Sequence, residues 1–88
     1  MSVRIEVTKH AAERLAERGI PVTWVEDVLR APDWTEPDPG DPTLQRAFGR
    51  IPAMEQRVLR VVFFQAEPGV CRLITAFFDR DAEPSESR

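Results

Sequence analysis

Apolar and polar positions follow two different periods in the first part of the chain. Arg4 to Val7 alternates with a period of two, which predicts a short strand. From Lys9 to Arg18 the apolar residues share one side of a helical wheel and the charged residues the other, which predicts an amphipathic helix. The hydroxyl of Thr8 is suited to cap the start of this helix, and Gly19 ends it.

A second helix is predicted after Ile20-Pro21. Thr23 and Glu26 stand at the spacing of a capping box, and Pro32 ends the helix. The apolar stripe consists of Val22, Val25, Val28 and Leu29.

Residues 33 to 44 combine prolines and acids and predict a loop, with a short extended piece at Trp34 to Glu36. Asp38 and Asp41 in this loop lack the spacing of a calcium-binding loop, so a hydrated loop is expected rather than a metal site. The sequence predicts no metal site and no cofactor.

The second half of the chain predicts a sheet. Gln45 to Ile51 alternates as a strand, whereas Val58 to Gln65 and Val70 to Phe78 are apolar on both faces and predict two central strands of a hairpin. The whole pattern predicts an α+β domain over residues 1–80, with two N-terminal helices packed on a mainly antiparallel sheet of three to five strands. Residues 81–88 are expected to form a flexible acidic tail.

Composition narrows the class of protein. With 88 residues, the chain is long enough for one hydrophobic core. Cys71 is the only cysteine and has apolar neighbours, so it is expected to be a buried small hydrophobe. Neither a signal-peptide core nor an apolar run of about 18 residues occurs, which leads us to expect a cytoplasmic protein without a membrane segment.

The charge pattern gives two opposing indications about nucleic acid. A net charge of −3 argues against a protein that holds RNA mainly by neutralising phosphates. The acids are concentrated in the 33–41 loop and near the end, however, and leave room for a basic face between them. Eleven arginines against one lysine suit bidentate phosphate recognition, although a coding bias explains the same count.

Four segments of the chain resemble the bacterial family called domain of unknown function 4258. They are Thr8–Ile20, Arg46–Arg50, Arg57–Val62 and Leu73–Arg80, in that order. The resemblance implies an outlying member of the RelE-like group, which includes BrnT-type proteins and contains many toxin ribonucleases neutralised by an antitoxin. The chain departs from the family at Pro21, where a small polar capping residue is usual, and in its acidic balance.

Cleaving RNA without a metal requires a base, an acid and cations for the phosphorane. His10 is the only histidine, and its place in the first turn of a helix disfavours the cationic form and favours a base. Arg14 and Arg18 follow it at intervals of four and form a basic stripe suited to an external anion. Pairing of His10 with Glu13 and of Arg14 with Glu17 is the competing explanation.

The predicted strands supply further cations. Arg46 and Arg50 share a strand face about 13 Å apart, a spacing suited to adjacent phosphates. Phe48 between them either stacks a base or belongs to the core. Arg60 interrupts an apolar strand and therefore needs a partner, a ligand or solvent.

The end of the last strand holds two more candidates, because the resemblance implies site residues there. Thr75 is equally suited to be a plain strand residue, and Asp79-Arg80 to be a terminal ion pair.

The leading hypothesis is a toxin-type ribonuclease whose candidates converge on one concave surface. The alternative is a non-catalytic module that binds RNA or an antitoxin-like protein. The candidate catalytic residues are His10, Arg50, Arg80 and Thr75, and the candidate phosphate-binding residues are Arg14, Arg18, Arg46 and Arg60.

Overall fold

A computed structural model describes residues 3–83 and has the α+β class that the sequence predicts. Two helices and a five-stranded mixed sheet make up the fold. In chain order the elements are β1 (Arg4–Val7), α1 (Lys9–Glu17), α2 (Val22–Arg30), β2 (Trp34–Pro37), β3 (Leu44–Ile51), a 3-10 turn (Pro52–Met54), β4 (Arg57–Glu67) and β5 (Val70–Phe78).

The strands lie in the order β1-β5-β4-β3-β2. The consecutive strands β2 to β5 pair antiparallel, whereas β1 runs parallel to β5. Both helices lie between β1 and β2 in the chain, so they connect the two edges of the sheet. A strand thus precedes the helices, as the alternation of residues 4 to 7 predicts.

The ends of α1 follow the predicted signals. The Thr8 hydroxyl accepts a hydrogen bond from the Ala11 N–H at 3.1 Å, which confirms the predicted cap. Gly19 follows the helix with a φ of +67°, a conformation that glycine adopts without strain.

The predicted capping box of α2 is wrong. Pro21 is the cap residue and makes no side-chain capping bond, which places Thr23 inside the helix rather than before it. At the other end, Ala31 leaves the helical conformation because the Pro32 ring disfavours it in the preceding residue.

One hydrophobic core joins the helices to one face of the sheet. The fully buried residues alternate along the strands and follow the inner stripes of the helices, and Val22 alone of the predicted α2 stripe is exposed. Cys71 belongs to this core, as predicted, and burial raises the pKa of its thiol. The largest fully buried side chains are Leu15, Leu59, Leu73, Val25 and Val61.

A glycine allows α2 to approach the sheet closely. A Cβ placed on Gly49 would lie 2.9 Å from Cγ2 of Val28, which is closer than carbon atoms pack. The absence of a side chain at position 49 therefore sets the distance between α2 and β3.

No helix among the described residues is long and apolar enough to cross a membrane. The predicted acidic tail lies outside the described residues from position 84 onward.

Candidate functional site

The face of the sheet turned away from α1 and α2, here called the open face, carries a row of aromatic and basic side chains. Trp34, Phe48, Arg60 and Phe77 are direct neighbours across β2, β3, β4 and β5. The rings of Trp34 and Phe48 stack with centroids 4.7 Å apart and planes 9° apart. The Arg60 guanidinium carbon lies 5.9 Å from the Phe48 centroid and 4.7 Å from that of Phe77.

Phe48 is only 2% exposed in this row, although it points away from the main core. Trp34 covers one side of the ring and Arg60 borders another. The ring therefore has no free face for an RNA base, and the structure supports the packing alternative for Phe48.

The strand arginines on the open face have carboxylate partners. Arg60 donates from Nε to Oδ2 of Asp79 at 3.0 Å and also from Nη2 to the same oxygen. Arg46 donates from Nε to Oδ1 of Asp38 at 3.0 Å, with Oε1 of Glu36 3.6 Å from its Nη1. The alternative explanation for Arg80, a terminal ion pair with Asp79, is not found, because the Asp79 carboxylate turns back onto β4 and binds Arg60.

Both of these aspartates have a pKa below the ordinary value. Burial alone would raise the pKa of Asp79, but hydrogen bonds from Arg60 and from the Asp81 N–H outweigh burial and lower it. In the same way, desolvation would raise the pKa of Asp38, and bonds from Arg46 and from the N–H groups of Gly40 and Asp41 lower it. The carboxylates therefore stay ionised and compete with any external anion for Arg46 and Arg60.

Arg50 lies at the end of the same strand in a more open setting. Its Nη1 is 3.5 Å from Oδ2 of Asp33, and its backbone N–H donates to that oxygen at 2.8 Å. The Arg50 side chain is 52% exposed, so this ion pair is screened by water.

A second group of candidates lies along α1 and the neighbouring edge of the sheet. Arg18 donates from Nη1 to the Thr75 hydroxyl at 2.9 Å and to the Ala76 carbonyl at 3.1 Å. Its guanidinium also lies 5.9 Å from the centroid of Phe77. Arg18 thus links the basic stripe of the helix to Thr75, a residue that the sequence separates from it by 57 positions.

His10 is exposed in the first turn of α1, where Arg14 donates from Nε to its Nε2 at 3.1 Å. An imidazole nitrogen accepts a hydrogen bond only through its lone pair, so the ring in this arrangement is neutral and carries its proton on Nδ1. Within residues 3–83, no ion pair joins His10 to Glu13 or Arg14 to Glu17, the pairs that the competing explanation requires.

The candidate arginines of the strands and of the segment after β5 are divided among three hollows, whereas the leading hypothesis predicts one concave surface. Arg46 and Arg60 face a hollow of about 260 Å³, which the acidic residues after β5 also line. Arg80 lines a second hollow of about 240 Å³, and Arg50 the cleft of about 500 Å³ between α2 and β3. The fold therefore brings Arg18 to Thr75, and Arg46 to Arg60. Arg50 and Arg80 each lie in a separate hollow.

Asp38 and Asp41 of the proline-rich loop are engaged within the loop or with Arg46. Asp41 accepts bonds from the N–H and hydroxyl of Thr43, and Asp38 from two backbone N–H groups. In the part of the chain that the structure describes, no three His, Cys, Asp or Glu side chains are placed to hold a metal ion.

Three residues that shape these surfaces are not among the candidate site residues predicted from the sequence. Trp34 begins the short extended piece predicted within the loop, and its buried Nε1 has no hydrogen-bond partner among the described residues. Phe77 supports two arginines from a strand that appears apolar on both faces. The guanidinium carbon of Arg57 lies 4.5 Å from the centroid of the Phe78 ring. Arg57 directly precedes a predicted strand, and a charge at that position was the one feature of the sequence that could have indicated it.

A family model matches most of the chain. The model of the family described as Domain of unknown function (DUF4258) matches residues 7–78. The chain belongs to this family. The matched range in this DUF4258 member runs from the end of β1 to the end of β5 and includes both helices. Searches of curated proteins and of solved structures give no match.

Proposed function

We propose that this chain is a metal-independent ribonuclease of toxin type, with a RelE-like fold, in which His10 transfers a proton and arginines bind phosphate. The observation that carries the proposal is the hydrogen bond from Arg18 to Thr75. It connects the basic stripe of α1, formed by His10, Arg14 and Arg18, to the neighbouring edge of the sheet. No carboxylate within residues 3–83 forms an ion pair with Arg14 or Arg18. Their charges are therefore available to an external anion.

The chemistry starts from the neutral His10 ring. Its Nε2 lone pair, released from Arg14 as RNA binds, removes the proton of a ribose 2′-hydroxyl. The 2′ oxygen then attacks the adjacent phosphorus, and the bond to the 5′ oxygen breaks. The products are a 2′,3′-cyclic phosphate and a 5′-hydroxyl. The chain has one histidine, so the 5′ oxygen takes its proton from water, and the imidazolium of His10 gives its proton to the hydroxide so formed, which restores the neutral ring.

Arg14 and Arg18 stabilise the charge that develops on the phosphorane. Thr75 accepts from Arg18 and thereby fixes the direction of that guanidinium, so Thr75 is a positioning residue in this scheme. Arg50 and Arg80 are exposed and bind flanking phosphates. Arg46 and Arg60 bind RNA only when the phosphates displace the carboxylates that hold them, and they contribute least.

One observation favours a second candidate function, a non-catalytic module that binds an antitoxin-like protein. Arg46, Arg50 and Arg60 each pair with carboxylates on the open face, which lowers the attraction of this face for RNA. A surface of alternating charges beside largely buried aromatic rings is suited to a protein partner with complementary charges.

The test is cleavage of a single-stranded RNA in EDTA by the purified wild type and by His10→Ala. We expect the wild type to yield 2′,3′-cyclic ends and the variant to be at least about 100-fold slower, with unchanged thermal unfolding because His10 is exposed. Glu17→Gln is the matched control on the same helix and should cleave at the wild-type rate.

Two outcomes contradict the proposal. If the folded wild type does not cleave RNA and its induction does not slow bacterial growth, the chain is not a ribonuclease of this type. If His10→Ala cleaves as fast as the wild type, the proton transfer is assigned to the wrong residue. Recovery from the native host of an equimolar complex with one small protein, without nuclease activity, supports the second candidate instead.

A further inference from the structure

A hollow at one end of the sheet holds two arginines without acidic partners. Its volume is about 240 Å³, and its walls come from the start of β4 and from the residues that follow β5. Arg57 and Arg80 line it, both are exposed, and neither forms an ion pair with a carboxylate in the described range 3–83. The remaining lining residues are Gln56, Val58, Phe78 and Asp79.

The Arg57 guanidinium lies against an aromatic ring in the wall of the hollow. Its central carbon is 4.5 Å from the centroid of the Phe78 ring. Trp24 also packs on Phe78, with the two rings edge to face and their centroids 6.1 Å apart. An anion bound by Arg57 would therefore have an apolar wall on one side, which strengthens the electrostatic attraction relative to an anion surrounded by water.

The backbone on both sides of the hollow is fixed. Glu55 and Gln56 have φ values of +57° and +64°, a strained conformation for two successive residues with side chains. The Asp79 N–H donates to the Val58 carbonyl at 2.9 Å and joins the two walls. The fold thus sets the backbone at residues 57 and 79, from which Arg57 and the adjacent Arg80 extend their side chains into the hollow.

The acidic groups near the hollow do not neutralise it. The Asp79 carboxylate is taken by Arg60 on the open face and by the Asp81 N–H. Glu55 lines a neighbouring depression with Arg57, but it forms no ion pair with Arg57. The lining groups thus carry a net positive charge.

We infer that this hollow binds a phosphate group through Arg57 and Arg80. The planar guanidinium presents paired N–H donors that match two phosphate oxygens, and two such groups in one hollow select a tetrahedral oxyanion over chloride. Its source in the cell is either a backbone phosphate of RNA or the terminal phosphate of a free nucleotide. The RNA assignment rests on the proposed function, whereas the phosphate site itself does not.

The first test uses inorganic phosphate and the NMR signals of the arginine Nε–Hε groups. We expect saturable shifts for Arg57 and Arg80, and Arg80→Gln should weaken the response of Arg57 several-fold. Arg4 is the internal control, because it is an exposed arginine on β1 without an ion pair among the described residues. Shifts at Arg57 and Arg80 no larger than at Arg4 would overturn the site.

The test of the site does not depend on a variant that fails to fold. Arg80 is exposed and makes no side-chain contact that the fold needs, so Arg80→Gln should stay folded even if Arg57→Gln loses its packing on Phe78. Arg57→Lys keeps the charge and removes the paired donors, and we expect it to bind phosphate more weakly than the wild type.

The second test separates the two sources with a 2′-O-methyl oligoribonucleotide, which binds but is not cleaved. Loss of two phosphate contacts in Arg57→Gln/Arg80→Gln should reduce the slope of log K against log salt concentration by about 1.4, with little change in Arg4→Gln. An unchanged slope beside saturable phosphate shifts would assign the hollow to a free phosphate ligand. If the wild type does not bind the oligonucleotide while the shifts persist, the proposed function fails and the hollow stands.

Discussion

Arg60 and Asp79 meet on the open face of the sheet, where Nε and Nη2 of Arg60 both donate to Oδ2 of Asp79. The side chains are 21% and 13% exposed, so the pair is largely shielded from water. Phe48 and Phe77 flank the guanidinium. This arrangement explains how a central apolar strand tolerates an arginine, because the charge is both paired and packed.

The first prediction concerns the stability that Asp79 gives to the fold. Asp79→Asn leaves Arg60 without its charged partner, and we expect the free energy of unfolding at pH 7 to fall by about 2 kcal/mol. The folded-state pKa of Asp79 lies below its ordinary value of 3.8, so the contribution is complete above that pH and is lost as the pH falls through the folded-state pKa.

Urea unfolding from pH 7 down to pH 2.5 measures this difference. The gap in the free energy of unfolding between wild type and variant should shrink once the pH is below 3.8. Glu17→Gln, an exposed acid on α1, should show no such gap. A gap of constant size at every pH would mean that the ion pair does not account for the loss.

The second prediction concerns the tautomer of His10. Because Nε2 accepts from Arg14, the neutral ring should carry its proton on Nδ1. Nitrogen-15 NMR of the ring reports this directly, and the signals are unambiguous because the chain has one histidine. In Arg14→Ala the share of the Nε2–H form should rise. Equal tautomer populations in the two proteins would show that Arg14 does not set the tautomer.

The third prediction concerns the close contact between α2 and β3. Gly49→Ala brings a methyl group to 2.9 Å from Cγ2 of Val28, and we expect it to lower the free energy of unfolding by about 1–3 kcal/mol. In a Val28→Ala background the same change should cost less, because the opposing methyl groups are gone. Gly40→Ala, whose added carbon would be 3.4 Å from Oδ2 of Asp38, is the control and should have a small effect.

The helices and central strands were largely predictable, because their signals are local. Thr8 caps the start of α1 and Gly19 follows its end, and both signals involve only a few neighbouring residues. The start of α2 was harder, since Thr23 and Glu26 have the spacing of a capping box while the chain direction is already set by Pro21. Two local signals, the capping-box spacing and the proline, predict different helix starts there, and the sequence alone does not show which one prevails.

The side-chain partners of the candidate site were not predictable to the same extent. The sequence indicated that Arg60 needs a partner, a ligand or solvent, but it did not identify Asp79 as that partner. The antiparallel pairing of β4 with β5 places Phe77 opposite Arg60, and the chain then turns to bring Asp79 over the same guanidinium. Such a contact depends on strand register, which no single segment of sequence determines.

The sequence by itself determined the class of the fold, the positions of the helices and main strands, and which residues carry charge or a transferable proton. Periodicity and capping act over a few residues, so the chain alone contains them. Only the tertiary structure decided that Arg18 reaches Thr75, that carboxylates hold Arg46 and Arg60, and that Arg57 and Arg80 share a hollow. These relations arise from sheet order and register, which join segments far apart in the chain through packing of the whole domain.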